Sequence, residues 1–397
     1  MLNLNNITKL MVVWGKAPLK INPTQCLPLR YPKSGCKLCV DNCPAMAIEI
    51  KQAHIGVIDD QCTGCGICFN LCPTGAFDMT NFDSHTFIEQ AQQFVSKDKN
   101  ITIECSKVPF ECSSHKSLRL PCLAHIMPSL VLKLISLGSD EITIRDAGIC
   151  EISESKRGDK IAKNTISKTQ ELLKNLGLKQ KVSIITDGIS INNLTYEGER
   201  LKDYKGEPDI SRRQIFSMFK KEIKKGVAGI VKKEPPLKID GKERLTKALP
   251  KEREELLEIL KGASLSLRRD QEKNVSKKGV VLNTSIFPGI TIRDGCDMCQ
   301  LCCLFCPTYA LISESTEKGQ GIVFTTAACT ACNMCVDVCA QRALTLKVKE
   351  TLLDDVIEEK KTNLVWFDRI CCSNCGRVFT KKTTEDICDI CLKEKEI

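Results

Sequence analysis

The chain has 397 residues, of which 42% are hydrophobic, 27% charged and 5% aromatic, with 26 cysteines and a formal net charge of +9. That length has room for two to four domains, and the ordinary hydrophobic fraction provides a conventional core. No apolar run approaches the 18 residues of a membrane span, since the longest, IMPSLVLKLISLG, contains Lys133.

The N-terminus carries only the short apolar patch LMVVW and no small-residue cleavage site, so no secretory signal is read there. Next come Cys36, Cys39 and Cys43, followed by Pro44, with Lys33 where a first cysteine of the run would stand. Cys26, ten positions before Cys36, is the substitute. AIEIKQ and IGVIDD alternate on either side of a short polar turn and predict a hairpin. Cys62, Cys65, Cys68 and Cys72, with Pro73, then read C-x2-C-x2-C-x3-C-P, the bacterial spacing for ligating 4Fe–4S clusters. Three thiolates two residues apart on a tight turn reach three irons of one cubane, and the fourth points away to the other cluster of a pair. The proline has no N–H and a fixed φ, so it ends the turn. GAFDM predicts a short returning strand.

From about 100 to 190 the pattern changes. ITIEC, SLRLPC, EITIRDA and KVSIITD read as strands, with helices over Met127 to Leu137, ended by Gly138, and Lys160 to Leu176, ended by Gly177. Strands alternating with helices predict a small parallel α/β domain. It holds Cys105, Cys112, Cys122 and Cys150. Reduced, half-buried thiols at strand ends are the plainest account of them. A 2Fe–2S or redox-thiol site, or a Cys2His2 zinc site using His115 and His125, stays open.

Residues 191–285 are polar and charge-dense. Ile215, Phe216, Phe219, Ile223, Val227 and Ile230 recur at helical spacing among Lys220, Lys221, Lys224, Lys225, Lys232 and Lys233. Such a helix suits a membrane surface or an acidic partner, or else it is an ordinary surface helix with a solvated basic face. Pro235 and Pro236 end it, Arg244 to Lys261 predicts a second helix, and KGASLSLRRDQEKNVSKKG reads as a linker.

The cysteine pattern then returns. Cys296, Cys299, Cys302 and Cys306 with Pro307 repeat the full spacing, and Cys329, Cys332, Cys335 and Cys339 do so with Ala340 in place of proline. ALISES and GIVFTTAA predict the hairpin between them, and ALTLK a returning strand. In the last 27 residues Cys372, Cys375, Cys388 and Cys391 form C-x2-C-x12-C-x2-C, the two-knuckle spacing of a zinc ribbon, although a single iron uses the same ligands. Cys303 and Cys371 each adjoin a better-placed cysteine and read as spare.

At residues 26–80 and 288–348 the chain resembles the bacterial dicluster ferredoxin family, twice over. The resemblance implies a pseudo-symmetric fold, two cubanes per module and low-potential electron transfer. It also implies the pairing: Cys26, Cys36 and Cys39 with Cys72; Cys62, Cys65 and Cys68 with Cys43; Cys296, Cys299 and Cys302 with Cys339; Cys329, Cys332 and Cys335 with Cys306. Four such clusters contribute roughly −8, so the loaded chain is near neutral and its composition makes no argument for nucleic acid. LPCLA, followed by a helix and a strand ending near a cysteine, resembles the iron–sulfur subunit of hydrogenase–heterodisulfide reductase complexes, although no C-x2-C occurs in that segment.

The sequence therefore predicts an α+β multidomain protein. A dicluster module over 1–80 and another over 286–348 flank a small α/β domain over 100–190, with a charged helical region over 191–285 and a zinc ribbon over 366–397. No G-x-G-x-x-G, G-x4-G-K-[ST] or H-E-x-x-H occurs, so no nucleotide, flavin or small-molecule substrate site is read. The function expected is a cytoplasmic polyferredoxin of an anaerobe, carrying four 4Fe–4S clusters and one zinc or iron. It passes electrons to a hydrogenase- or reductase-type partner and is not itself assigned a reaction. A nucleic-acid-associated iron–sulfur protein and a catalytic reductase using the middle domain are the alternatives.

Overall fold

A computed structural model describes residues 17–51, 54–109, 112–113, 117–148, 158–186, 245–271, 279–381 and 385–395, with only the backbone described at 263–271 and 394–395. LMVVW, His115, Cys150 and the basic helix expected around Lys220 to Lys233 lie outside the described residues.

The N-terminal cysteine-rich unit contains β1 (Leu19–Ile21), α1 (Leu27–Arg30), α2 (Leu38–Asp41), β2 (Ile48–Lys51), β3 (His54–Val57), α3 (Ile67–Leu71) and β4 (Phe77–Met79). β2 and β3 pair antiparallel, Ile48 opposite Val57, which is the hairpin the alternating residues require. β1 pairs with β4, Leu19 opposite Met79, so the start of the unit closes on the strand after Cys72. Leu19, Leu29, Ile48, Ile55, Phe77 and Met79 form a small core together with Cys26 and Cys39. A core of this size buries little apolar surface.

Then come α4 (Ser84–Val95), β5 (Asn100–Cys105), β6 (Ser117–Leu120), α5 (Pro128–Ser136), β7 (Glu141–Asp146), α6 (Gly158–Asn175), β8 (Lys181–Thr186) and α7 (Lys251–Gln271). The four strands make one parallel sheet in the order β6-β5-β7-β8. Ile101 and Ile103 on β5 and Ile142 and Ile144 on β7 are buried between the helices. α5 and α6 stop where Gly138 (φ 100°) and Gly177 (φ 67°) take left-handed backbone. No helix was expected over 84–95. There the Asp83 carboxylate accepts the N–H groups of His85 and Thr86, and Phe87, Ala91 and Val95 face inward. α7 begins at Lys251, not Arg244, because Pro250 holds Leu249 out of helical backbone. It continues to Gln271, into the stretch read as a linker. Leu256, Leu257 and Leu260, within the helix that was expected, join the same core as the sheet.

The C-terminal unit contains β9 (Val281–Leu282), β10 (Gly289–Ile292), α8 (Leu301–Phe305), β11 (Leu311–Ser315), β12 (Gly319–Thr325), α9 (Met334–Asp337), β13 (Leu344–Lys347), β14 (Thr351–Leu352), α10 (Leu353–Ile357), β15 (Lys361–Cys371), β16 (Val378–Thr380) and α11 (Asp389–Lys395). β10 pairs with β13 and β11 with β12, as β1 pairs with β4 and β2 with β3. The long β15 was not foreseen. It pairs with β12 and β16, making one sheet in the order β11-β12-β15-β16 that carries the chain into the last four cysteines. Trp366 on β15 lies over Gly319 and Gly321, where an added Cβ would sit 2.6 and 2.5 Å from its ring. Among the described residues no helix is long and apolar enough to cross a membrane.

Candidate metal centres

Three of the four cysteine runs bend in the same way. Left-handed backbone flanks the middle cysteine on both sides: Gly64 and Gly66 around Cys65, Met298 and Gln300 around Cys299, Ala331 and Asn333 around Cys332. For a residue with a side chain this conformation costs roughly 1 kcal/mol or more, so it persists only where the surroundings impose it. Its effect here is to turn backbone N–H groups toward sulfur. Gly64 donates to Cys62, Met298 to Cys296, Leu301 to Cys299, Ala331 to Cys329 and Met334 to Cys332. The run that lacks its first cysteine departs from this. Lys37 has φ −133° and α2 begins directly after it, while Leu38 donates to Cys36.

The fourth cysteine of each run has its own repeated turn. Three residues after it the backbone is left-handed, at Met46, Gly75, Tyr309 and Arg342. Four residues after it stands a buried alanine: Ala47, Ala76, Ala310 and Ala343. The N–H groups of Ala47, Ala76 and Ala343 point at Cys43, Cys72 and Cys339, 3.2, 3.3 and 3.3 Å from sulfur. The Thr74 and Thr308 hydroxyls lie 3.5 and 3.8 Å from Cys72 and Cys306. These alanines and threonines were not singled out from the sequence. A lone alanine carries no signal, and only the repetition of the turn shows that it is the donor.

Folding gathers these sulfurs into four sets. Burial pushes the Cys26 thiol up to about 12, and the charges of Cys39, Cys72 and Cys36 add to this. Cys39 is likewise up at about 12, through burial and then through Cys72 and Cys36. Cys62, Cys65 and Cys68 share a second neighbourhood with Cys43, and burial raises all three. Cys296 feels Cys302 and Cys339, and Cys299 feels Cys302. Burial raises Cys329 to about 11 and Cys332 to about 12, both within reach of Cys306, and raises Cys335, which feels Cys332, Cys329 and Cys306. Cys68 also senses Cys39, and Cys335 senses Cys302, so within each unit the two sets adjoin. Such clustered, buried thiols resist ionisation alone, and a bound cationic iron core makes the thiolates favourable and releases protons. The donor set, ringed by N–H groups, fits iron–sulfur clusters. Cys303 keeps its proton, because the adjoining Cys302 sulfur takes a hydrogen bond from it and drives its thiol far up while holding Cys302 down.

The last four cysteines are different. The sulfurs of Cys372, Cys375, Cys388 and Cys391 all lie within 4.8 Å of one another, the one such set among the described residues, which fits a single ion and is too tight for a cubane. The N–H groups of Cys388, 3.3 Å away, and of Cys375 hold the Cys372 thiol down at about 6, ready as a thiolate. Cys371 is exposed.

In the parallel-sheet unit, Cys105 and Cys122 stand at the carboxyl ends of the strands. They line a cavity of about 50 Å³ with Cys65, Arg145 and Asp146. Cys112 lies outside that cavity, where its carbonyl accepts from Arg145. His125 meets Cys122 through the carbonyl oxygen, 3.1 Å from Nδ1, and not through the thiol. Its ring packs on Phe82 and against Gly66, and burial pushes it down to about 4, so it is neutral.

The LdpA Fe-S cluster-binding domain family matches residues 32–82. An uncharacterised ferredoxin of Methanocaldococcus jannaschii is 48% identical over 42 residues, 10% of this chain and 68% of that protein. An iron-sulfur protein of Rhodospirillum rubrum is 25% identical over 128 residues, 31% of this chain and 63% of that protein. A component of the ion-translocating oxidoreductase complex of Methanosarcina acetivorans is 38% identical over 45 residues, 11% of this chain and 17% of that protein. The chain thus spans under two thirds of the Rhodospirillum protein and a small part of the Methanosarcina one.

Proposed function

This chain belongs to the ferredoxin-type iron–sulfur proteins, and on that premise we propose that it is a polyferredoxin with four 4Fe–4S clusters, built as two dicluster modules. In this reading Cys26, Cys36, Cys39 and Cys72 hold one cluster and Cys43, Cys62, Cys65 and Cys68 the second. Cys296, Cys299, Cys302 and Cys339 hold the third, and Cys306, Cys329, Cys332 and Cys335 the fourth. Cys372, Cys375, Cys388 and Cys391 hold a structural zinc, whose four thiolates leave no open position. Each cubane supplies one-electron redox chemistry at low potential. The chain's own residues supply the thiolates, the N–H donors around them and the packing that buries Cys26, Cys39, Cys302, Cys306, Cys329 and Cys335.

The observation that carries this is the shared environment of three sulfurs from one run with the last sulfur of the other, found in both units. The name of the Methanosarcina relative supports a place within or beside an oxidoreductase complex. We take the partner to be an anaerobic reductase or hydrogenase-type assembly and the compartment to be the cytoplasm. The test is anaerobic affinity capture from the native host, followed by transfer of electrons from dithionite-reduced protein to the captured enzyme. Recovery of nucleic acid alone, with no electron acceptance by any captured protein, rejects the relay.

A further inference from the structure

The two cysteine units are not tethered loosely. α1 directly follows Cys26, yet Leu27 is buried in the core of the C-terminal unit, among Cys302, Cys306, Cys329 and Met334. Tyr31 meets Phe305 edge-on, centroids 5.4 Å apart, and the Ser34 hydroxyl donates to Asp337 at 3.2 Å. The segment from Cys26 to Cys36 is therefore pressed against the other unit.

Two arginines are buried at this junction. Arg30, on α1, is 3% exposed, and its Nη1 donates to the carbonyls of Thr24 and Thr246. Its Nε and Nη2 have no partner. Arg253, on α7, is 8% exposed. Its Nη2 donates to the carbonyls of Ile286 and Cys329, and the guanidinium lies 4.6 Å over the Phe287 ring. Its Nη1 has no partner, and neither has the Thr330 hydroxyl between Cys329 and Cys332. The arginine ion pairs found among the described residues belong to Arg119 and Arg145. A buried guanidinium with unmet N–H groups is costly for each group left bare, and more so for the charge itself. Guanidinium stays protonated in proteins, so the cost is not relieved by losing the proton.

What these cations lie beside is the set of cysteines of one proposed cluster. Arg30 feels Cys306 and Cys332, and Arg253 feels Cys329 and the adjoining Glu252. The other three sets have acidic neighbours: Asp337 and Asp41 at Cys36, Asp59 at Cys62, Asp297 at Cys296 and Cys299. A cubane with four thiolates becomes one charge more negative on reduction, so nearby cations favour the reduced form and nearby carboxylates oppose it.

We infer that Arg30 and Arg253 clamp the cluster held by Cys306, Cys329, Cys332 and Cys335, donate their free N–H groups to its sulfurs, and make it the most readily reduced centre in the chain. This rests on the four-cluster reading and adds an order to it. The N-terminal unit carries Arg30 into the C-terminal one, so the electron sink lies at the seam between them.

The experiment is an anaerobic potentiometric titration of the full holoprotein followed by electron paramagnetic resonance, with the signal of this cluster identified as the one that Cys332→Ser alters. In the wild type that signal should be the first to appear as the potential is lowered. Arg30→Gln should shift its reduction equilibrium against it about tenfold, about 59 mV for one electron, and leave the other midpoints in place. Arg253→Gln should act in the same direction, and Arg30→Lys, which keeps the charge, should recover most of the loss. Another cluster reducing first in the wild type, or an unchanged midpoint in an iron-replete Arg30→Gln protein, overturns the inference while leaving the four clusters standing. Wild-type protein that holds no iron overturns the reading beneath it.

Discussion

At the scale of single residues, function turns on which atoms point at sulfur. Cys26 stands far from the run it is proposed to complete, yet its thiol shares an environment with Cys36, Cys39 and Cys72. Cys26→Ala should cost the protein one cluster, a loss of about four Fe and four sulfides per chain by anaerobic analysis. Cys371→Ala and Cys303→Ala should leave the iron count unchanged. If Cys26→Ala retains every iron with an unchanged reduced spectrum, some other group completes that set. The cysteines themselves were legible because spacing is their signal. The turns that serve them were not. Met298, Gln300, Ala331 and Asn333 have left-handed backbone where no glycine announced it. The donor alanines at 47, 76 and 343 resemble any other alanine in a sequence.

Among elements, short alternating segments and helices ended by glycine were easy to foresee, as the hairpin Ile48–Lys51 to His54–Val57 and the stop at Gly177 show. Elements whose reason lies elsewhere in the chain were not. β15 is strand because β12 offers it an edge, and Gly321 is glycine because Trp366 covers it. Gly321→Ala would bring a Cβ within 2.5 Å of both the Trp366 ring and the Val365 carbonyl. It should destabilise this sheet by about 1–3 kcal/mol in chemical denaturation, and an unaltered midpoint would contradict the packing described.

α7 makes a second prediction. Glu252 caps α5 by accepting from the Ser129 N–H at 2.9 Å and from its hydroxyl, and burial pushes its carboxyl up to about 7 from 4.5. The folded state then holds that proton more tightly than the unfolded one. Its contribution to stability is full below pH 4.5 and declines as pH rises toward 7. Relative to Glu252→Gln, the wild type should lose stability across that interval in denaturant titrations. Equal slopes for the two proteins would show that Glu252 is not raised.

For the whole molecule, the chain packs its two cysteine-rich units against each other and against the parallel sheet, with α7 joining the C-terminal unit to the sheet. Arg253 on α7 reaches Cys329, while Leu256, Leu257 and Leu260 lie in the sheet's core. None of this joining was legible, because Leu27, Arg30 and Tyr31 carry no motif and their partners lie far along the chain. A further consequence concerns the tail. Its four sulfurs close a tight set of their own. Cys388→Ser should therefore release about one zinc and loosen the last residues while sparing the iron, as metal analysis and limited proteolysis would report.

The central claim is that this one chain carries four cubanes and one tetrathiolate ion. It is tested most directly by quantitative metal and acid-labile sulfide analysis of anaerobically purified, fully reconstituted protein. The expected result is about 16 Fe, about 16 sulfides and about one Zn per chain. A plateau near eight Fe would contradict it, leaving one of the two cysteine units without clusters.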